Sequence, residues 1–106
     1  MVRDVKDIDE YKKIMDEGKL VFVDFHAEWC GPCKKIGPVF KELADKHSQQ
    51  AIFLAVDVDE GVDIAELEDL PGMPCFVAYK NKQKVDTVTG SKDDVIIDLV
   101  AKHLSK

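Results

Sequence analysis

The 106-residue chain lacks several features, and each absence argues against a class of protein. Its three cysteines are an odd number, which does not suit a framework of structural disulfides. No apolar run is long enough to span a membrane, and the first residues contain no apolar segment typical of a secretory signal. A formal net charge of −6 argues against nucleic acid as the main partner. We therefore expect one domain over residues 1–106, cytoplasmic, with no nucleic-acid or membrane partner.

A strand, a turn and a helix follow one another between residues 20 and 47. Residues 20–25 are apolar, β-branched and aromatic, which is typical of a strand buried on both faces, and Asp24 is the one carboxylate among them. A turn with the sequence Cys30-Gly31-Pro32-Cys33 comes next. Apolar residues at helical spacing then predict a helix from about Cys33 to His47. The two cysteines are thus predicted where a buried strand leads into a helix.

That position favours redox chemistry at the two cysteines. The first turn of a helix has unpaired N–H groups and the positive end of the helix dipole, which together stabilise an anion such as a Cys30 thiolate. The thiolate is the reactive form of cysteine. Cys33 lies one helical turn later, close enough to form a disulfide with Cys30, so the pair can cycle between dithiol and disulfide. Pro32 suits a first helical position, where a missing N–H costs nothing.

The motif Trp29-Cys30-Gly31-Pro32-Cys33 resembles the active-site motif of the thioredoxin family. Asp24 stands where that family carries a buried aspartate, and the resemblance covers nearly the whole chain. The periodicity alone gives the order βαβαβαββα, a mixed sheet with helices on both faces. The resemblance adds the thioredoxin fold, in which a central five-stranded mixed sheet of order 1-3-2-4-5 is flanked by four helices.

The resemblance implies a general protein-disulfide reductase and assigns catalytic roles to individual residues. Cys30 is expected to be the attacking nucleophile and Cys33 the resolving thiol. Asp24 is expected to act as a general base for Cys33, with a pKa raised by burial. Gly31 and Pro32, between the cysteines, are expected to set the redox poise.

Substrate contacts are also implied by the resemblance. Pro74 resembles the family's cis-proline, and the main chain of Met73 is expected to form hydrogen bonds with an extended substrate peptide. Trp29, Gly72 and Gly90 complete the predicted contact patch around the cysteines. No cofactor is expected. The implied partners are an NADPH-dependent, flavin-containing thioredoxin reductase and disulfide substrates such as peroxiredoxins or ribonucleotide reductase, and the chain is expected to be monomeric.

Other interpretations of the motif remain open. A disulfide oxidase or isomerase shares the fold, although Gly31-Pro32 argues against it, and a mainly non-catalytic module could bind partners through the same patch. Cys-x-x-Cys is also a zinc spacing, but structural zinc takes four ligands and the sequence has no second such pair, so we predict no metal.

Three residues depart from the usual family pattern: His26, Ala55 and Cys75. Ala55 stands where some relatives have a charged residue near the buried aspartate, and Cys75 stands where threonine is usual. Cys75 has three interpretations: an inert buried thiol, a regulatory thiol, or a soft-metal ligand together with Cys30 and Cys33, with His26 as a further candidate ligand.

Two local features are predicted in the second half of the chain. Asn81-Lys82 indicates a β-hairpin, although glycine is absent from it. Ser91, with Asp94 three residues later, predicts the start of the last helix.

Overall fold

A computed structural model describes residues 1–105, and in this range the chain forms five strands and four helices. The elements in chain order are β1 (Val2–Asp4), α1 (Ile8–Met15), β2 (Val21–His26), α2 (Gly31–Lys46), β3 (Ile52–Asp57), α3 (Val62–Glu68), β4 (Cys75–Lys80), β5 (Gln83–Thr89) and α4 (Asp93–Leu104). The predicted order of elements is confirmed. Of these four helices, none is long and apolar enough to cross a membrane.

The strands form one mixed sheet in the order β1-β3-β2-β4-β5. β1, β3 and β2 are parallel, whereas β4 runs antiparallel to both β2 and β5. The parallel strands are connected through α1 and α2, because a parallel connection needs a crossover. The predicted five-stranded thioredoxin fold with four helices is therefore confirmed.

The two faces of the sheet carry separate hydrophobic clusters. Along β2, Val21, Val23 and Phe25 pack in the cluster that contains residues of α1 and α3. Phe22 packs on the other face, with residues of α2 and α4. Because side chains alternate along a strand, Asp24 shares the face of Phe22 and lies on the α2 side of the sheet.

The helices begin in three different ways. Asp7 caps α1, with its Oδ2 accepting a hydrogen bond from the Glu10 N–H at 3.1 Å. Cys30 caps α2. The prediction for α4 is wrong: Lys92, not Ser91, is the N-cap, and no side chain caps that end. The helix begins at Asp93, one residue too late for Ser91 to cap it. Instead, the two acidic residues in the first turn interact favourably with the positive end of the helix dipole.

The β4–β5 hairpin forms without glycine. Asn81 and Lys82 both adopt the left-handed backbone conformation, with φ of 55° and 71°. A two-residue hairpin turn of this kind requires positive φ at both central residues, and asparagine tolerates it better than most residues do. The predicted hairpin is therefore confirmed.

A buried carboxylate joins four elements on the α1 side of the sheet. Glu68 is the last residue of α3. Its Oε2 accepts hydrogen bonds from the hydroxyls of Tyr11 in α1 and Tyr79 in β4, and the hydrogen bond from Tyr79 is 2.7 Å long. Lys84 in β5 lies with its Nζ 3.2 Å from Oε1 of the same residue. A buried carboxylate is tolerated only when it is paired and hydrogen-bonded, and Glu68 is both.

Candidate active site

Cys30 and Cys33 are joined by a disulfide at the beginning of α2. Cys30 has extended backbone, and its Sγ accepts a hydrogen bond from the Cys33 N–H at 3.2 Å. Upon reduction, a Cys30 thiolate would lie at the positive end of the helix dipole, which stabilises it. Gly31 is the first helical residue and Pro32 the second, one position later than predicted. The N–H of the second residue is also unpaired in a helix, so proline costs nothing there.

Asp24 lies in the interior of β2, between Val23 and Phe25. Its side chain is buried, with 5% of the residue exposed, and its Oδ1 has no hydrogen-bond partner among the described residues. Burial disfavours the charged form and raises the pKa of Asp24 to about 7. Both protonation states are therefore populated near neutral pH, as a proton-transfer group requires.

Asp24 and Cys33 line the same cavity. This cavity, of about 320 Å³, lies between the sheet and α2, and Ala55 and Phe40 contribute to its wall. We call it the Asp24 cavity. His26, at the end of β2, also lines it. The buried carboxyl and the second cysteine of the motif thus face a shared space in which a proton can pass between them.

The predicted substrate loop lies against the disulfide. The Met73–Pro74 peptide bond is cis, and Met73 packs on the cluster formed by Ala27, Cys30 and Cys33. The Gly90 N–H donates a hydrogen bond to the Pro74 carbonyl at 3.1 Å.

Glycines shape the same surface. A Cβ on Gly72 would lie 3.9 Å from Cγ2 of Thr89, so this loop and the end of β5 run side by side. Gly90 has a φ of +128°, which side-chain-bearing residues rarely adopt. The structure brings the predicted contact residues Gly72, Met73, Pro74 and Gly90 together.

Trp29 projects from the surface next to Cys30, with 67% of the residue exposed. Its indole Nε1–H donates a hydrogen bond to Oδ2 of Asp59 at 2.9 Å, and the Asp59 N–H donates to Oδ1 of Asp57 at 2.8 Å. Sequence reasoning missed Asp59. Its position in the sequence could have indicated the contact. Asp59 comes just after β3 and Trp29 just after β2, and the carboxyl ends of these parallel strands lie at the same edge of the sheet.

Cys75 lies on the opposite face of the sheet. It is a free thiol, fully buried in the cluster that contains α1 and α3. Burial raises the pKa of Cys75 to about 11, so the thiol is protonated at neutral pH. This environment fits the inert-thiol interpretation, because a regulatory thiol at this position would need the core to open. Among residues 1–105, no cluster of three or more His, Cys, Asp or Glu side chains is arranged to hold a metal ion.

Comparison with known proteins agrees with this geometry. The thioredoxin family model matches residues 3–102. The chain belongs to the thioredoxin family. Thioredoxin 1 of Plasmodium falciparum is 41% identical to it, over 97% of this chain and 98% of the relative. The crystal structure of Malassezia sympodialis thioredoxin superposes with a TM-score of 0.92 at 39% identity, covering 97% of this chain and 93% of that one.

A more distant thioredoxin-fold chain comes from a structural study of thiol resolution in yeast mitochondrial 1-Cys peroxiredoxin through the glutathione and thioredoxin systems. It is 26% identical, with a TM-score of 0.88 over 95% of this chain and 94% of that one. Members of the thioredoxin family are thiol–disulfide oxidoreductases. With its Cys30–Cys33 pair, this chain is a protein-disulfide reductase, as the sequence predicted.

Proposed function

We propose that Cys30 attacks protein disulfides and that Cys33 resolves the mixed disulfide that results. The supporting observation is the position of Cys30 as the N-cap of α2, beside the exposed Trp29. The Cys30 thiolate attacks one substrate sulfur and the other leaves as a thiolate. Cys33 then attacks the Cys30 sulfur, which releases the second substrate thiol and leaves Cys30–Cys33 oxidised.

We assign the proton acceptor for the resolving step to Asp24. Cys33 must lose its proton before it attacks, and the Asp24 cavity joins the two residues. The raised pKa of Asp24, about 7, makes it a stronger base than an exposed carboxylate, although it remains largely ionised at slightly alkaline pH. Gly31 and Pro32 are assigned to the redox poise of the pair.

Substrate proteins are proposed to dock on Trp29, Gly72, Met73, Pro74 and Gly90, which we call the contact patch. Met73 would supply main-chain hydrogen bonds to an extended segment of the substrate, in the manner of strand addition. The Asp59 carboxylate holds the Trp29 indole in place for this contact.

The proposed partners follow from family membership. Peroxiredoxins are proposed as substrates, supported by the structural likeness to the chain from the peroxiredoxin study. Ribonucleotide reductase is a second proposed substrate, and an NADPH-dependent, flavin-containing thioredoxin reductase would return the electrons. We further propose that residues 1–106 act as one monomeric domain in the cytoplasm, in electron transfer to protein disulfides.

Trapping tests the assignment of the two cysteines. With an oxidised protein substrate, a Cys33→Ser variant should accumulate a mixed disulfide through Cys30, identified by mass spectrometry. A Cys30→Ser variant should accumulate none. Accumulation in Cys30→Ser instead, through Cys33, would contradict the assignment. A Cys30→Ser, Cys33→Ser double variant that still binds the substrate would favour the partner-binding module.

A further inference from the structure

The loop between α3 and β4 carries part of the contact patch. Residues 69–74 form neither helix nor strand, and they include the contact-patch residues Gly72, Met73 and Pro74. Met73 also packs on the cluster that contains the disulfide. A loop without a helix or strand of its own depends on its two ends for its position. The residues that fix these ends therefore determine where the main chain of Met73 lies.

The end of the loop that follows α3 is fixed by a buried carboxylate. The side chain of Glu68 is 1% exposed, and its Oε2 accepts hydrogen bonds from Tyr11 and Tyr79. The rings of the two tyrosines meet edge to face, with their centroids 6.2 Å apart. Asp69, the next residue, ends the helix with a φ of 51°. The chain thus turns into the loop directly after a side chain that α1 and β4 both hold.

Lys84 completes this network from β5. Its Nζ lies 3.2 Å from Oε1 of Glu68 and 3.4 Å from the backbone carbonyl oxygen of the same glutamate. The ammonium supplies the opposite charge that a buried carboxylate requires. It also donates to a carbonyl at the C-terminal end of α3, where the helix dipole favours a cation. One side chain therefore holds both the carboxylate and the main chain of the residue at which the loop begins.

The other end of the loop is held by the same strand. The N–H of Gly90, the residue after β5, donates a hydrogen bond to the Pro74 carbonyl at 3.1 Å. Thr89, the last residue of β5, lies beside Gly72, because a Cβ at Gly72 would be 3.9 Å from its Cγ2. The strand and the residue that follows it thus contact the loop at both ends, and Lys84 makes the contact at its beginning.

We propose that Lys84 and Glu68 are positioning residues for substrate docking: their ion pair fixes the start of the loop, and with it the main chain of Met73 that a protein substrate contacts. Neither residue belongs to the cluster packed around the disulfide, so both act through the loop and not on the sulfur atoms. The proposal rests on the proposed contact patch and extends it from the surface residues to the pair that holds them.

The proposal distinguishes two kinds of disulfide. A protein substrate that extends along Met73 by strand addition depends on where this main chain lies. A small, neutral disulfide such as dithiodipyridine reaches Cys30 without that contact. Loss of the ion pair should therefore slow the reduction of protein disulfides more than the reduction of small ones.

Lys84→Met tests the proposal, with Lys82→Met as the matched control. Both variants remove one positive charge from the β4–β5 hairpin, and of the two lysines only Lys84 contacts Glu68. The reduced proteins are mixed with oxidised insulin or with dithiodipyridine, and the rates are measured by alkylation and mass spectrometry. The ratio of the insulin to the dithiodipyridine rate constant should fall about threefold or more in Lys84→Met, within the ~10²-fold that a misplacement of about 1 Å can cost.

The form of the loss and its rescue are part of the same test. With insulin, Lys84→Met should raise KM more than it lowers kcat, because the defect lies in docking. Lys84→Arg should restore most of the ratio, since the guanidinium keeps the charge and the hydrogen-bond donors. Lys82→Met should keep the ratio of the unchanged protein. An equal loss in Lys82→Met, or an equal loss with both disulfides in Lys84→Met, would overturn the proposal.

Cys75 provides a readout of the loop that does not depend on activity. It directly follows Pro74, is fully buried and is the one free thiol of the oxidised protein. Without denaturant, iodoacetamide should alkylate it about threefold faster or more in Lys84→Met, through local opening of the loop. Removal of the Lys84 charge by itself raises the pKa of Cys75 and slows alkylation, so a faster reaction reports opening. Ile96→Val, in the core on the other face of the sheet, controls for general destabilisation and should change the rate less.

Trp29→Ala separates failure of the positioning role from failure of the contact patch. If Trp29→Ala lowers the insulin-to-dithiodipyridine ratio while Lys84→Met changes neither this ratio nor the alkylation of Cys75, the positioning role is overturned and the patch stands. An unchanged ratio in Trp29→Ala would overturn the patch, and the positioning role with it. If Lys84→Met does not fold, Glu68→Gln takes its place with the same expected results, because the amide keeps one acceptor oxygen and loses the charge that pairs with Lys84.

Discussion

Asp24 is a carboxyl group within an apolar strand, and its burial has a cost that depends on pH. Burial raises the pKa of Asp24 in the folded protein to about 7, whereas in the unfolded chain it lies near its ordinary value of 3.8. Between these two values the folded state binds more protons than the unfolded state does. The free energy of unfolding therefore falls as pH rises from about 4 to about 7, and this contribution is constant above that range.

Asp24→Asn should remove this pH dependence. The amide does not ionise, so the variant is expected to be more stable than the unchanged protein by up to about 4 kcal/mol above pH ~7, and by little at pH ~4. Urea unfolding of both oxidised proteins across this pH range measures the difference. Parallel stability curves for the two proteins would show that Asp24 does not titrate in this range. The same variant should resolve mixed disulfides more slowly.

At the scale of residues, the sequence could predict where the motif residues lie in the fold. Cys30, Cys33 and Asp24 lie within ten residues of one another, on one strand, turn and helix whose patterns are plain. Asp59 was missed because its partner, Trp29, is 30 residues away in the chain. The Asp24 cavity is lined by residues of β2, β3 and α2, and hydrophobic periodicity does not report how these elements pair and pack.

At the scale of elements, Glu68 holds the last turn of α3 against α1 and the β4–β5 hairpin. Its carboxylate accepts hydrogen bonds from the hydroxyls of Tyr11 and Tyr79 and forms an ion pair with Lys84. The loop that carries Met73 and Pro74 begins just after it. Sequence reasoning could not find this network because Tyr11 and Glu68 are 57 residues apart, and a glutamate on a short helix ordinarily faces solvent.

Substituting Glu68 should destabilise the fold strongly. Glu68→Ala leaves the Tyr11 and Tyr79 hydroxyls without their acceptor and removes the carboxylate that pairs with Lys84, a loss of about 3–5 kcal/mol. Glu68→Gln keeps one acceptor oxygen and should lose less. Glu66→Ala, an exposed position on the same helix, is the control and should change stability by less than about 0.5 kcal/mol. Chemical denaturation measures all three, and equal stability of Glu68→Ala and Glu66→Ala would show that the network contributes nothing.

The hairpin and the last helix show where element prediction depends on local detail. Asn81-Lys82 was predicted as a turn from the strands on either side of it, and the structure has both residues at positive φ. Ser91 was predicted as a cap from its residue type and from Asp94 three residues later. The start of α4 lies one residue later, where Asp93 and Asp94 are the first-turn acids. Helix boundaries depend on backbone geometry that residue type does not fix.

For the whole molecule, the fold places the residues proposed for substrate contact and the Asp24 cavity on different parts of the surface. The strand–turn–helix unit brings Cys30 to the contact patch, and the loop before β4 and the end of β5 complete that patch. The same unit brings Cys33 to the Asp24 cavity, between the sheet and α2. The strand order that makes this arrangement was expected from family resemblance, since hydrophobic periodicity alone does not define it.

The dithiol–disulfide equilibrium of Cys30–Cys33 tests the reductase function most directly. The pair is equilibrated with glutathione and dithiothreitol buffers, alkylated and analysed by mass spectrometry, with Cys75→Ser alongside. We predict a couple more reducing than glutathione, unchanged in Cys75→Ser because that thiol is buried on the opposite face. A couple more oxidising than glutathione would contradict the reductase and indicate a disulfide oxidase or isomerase.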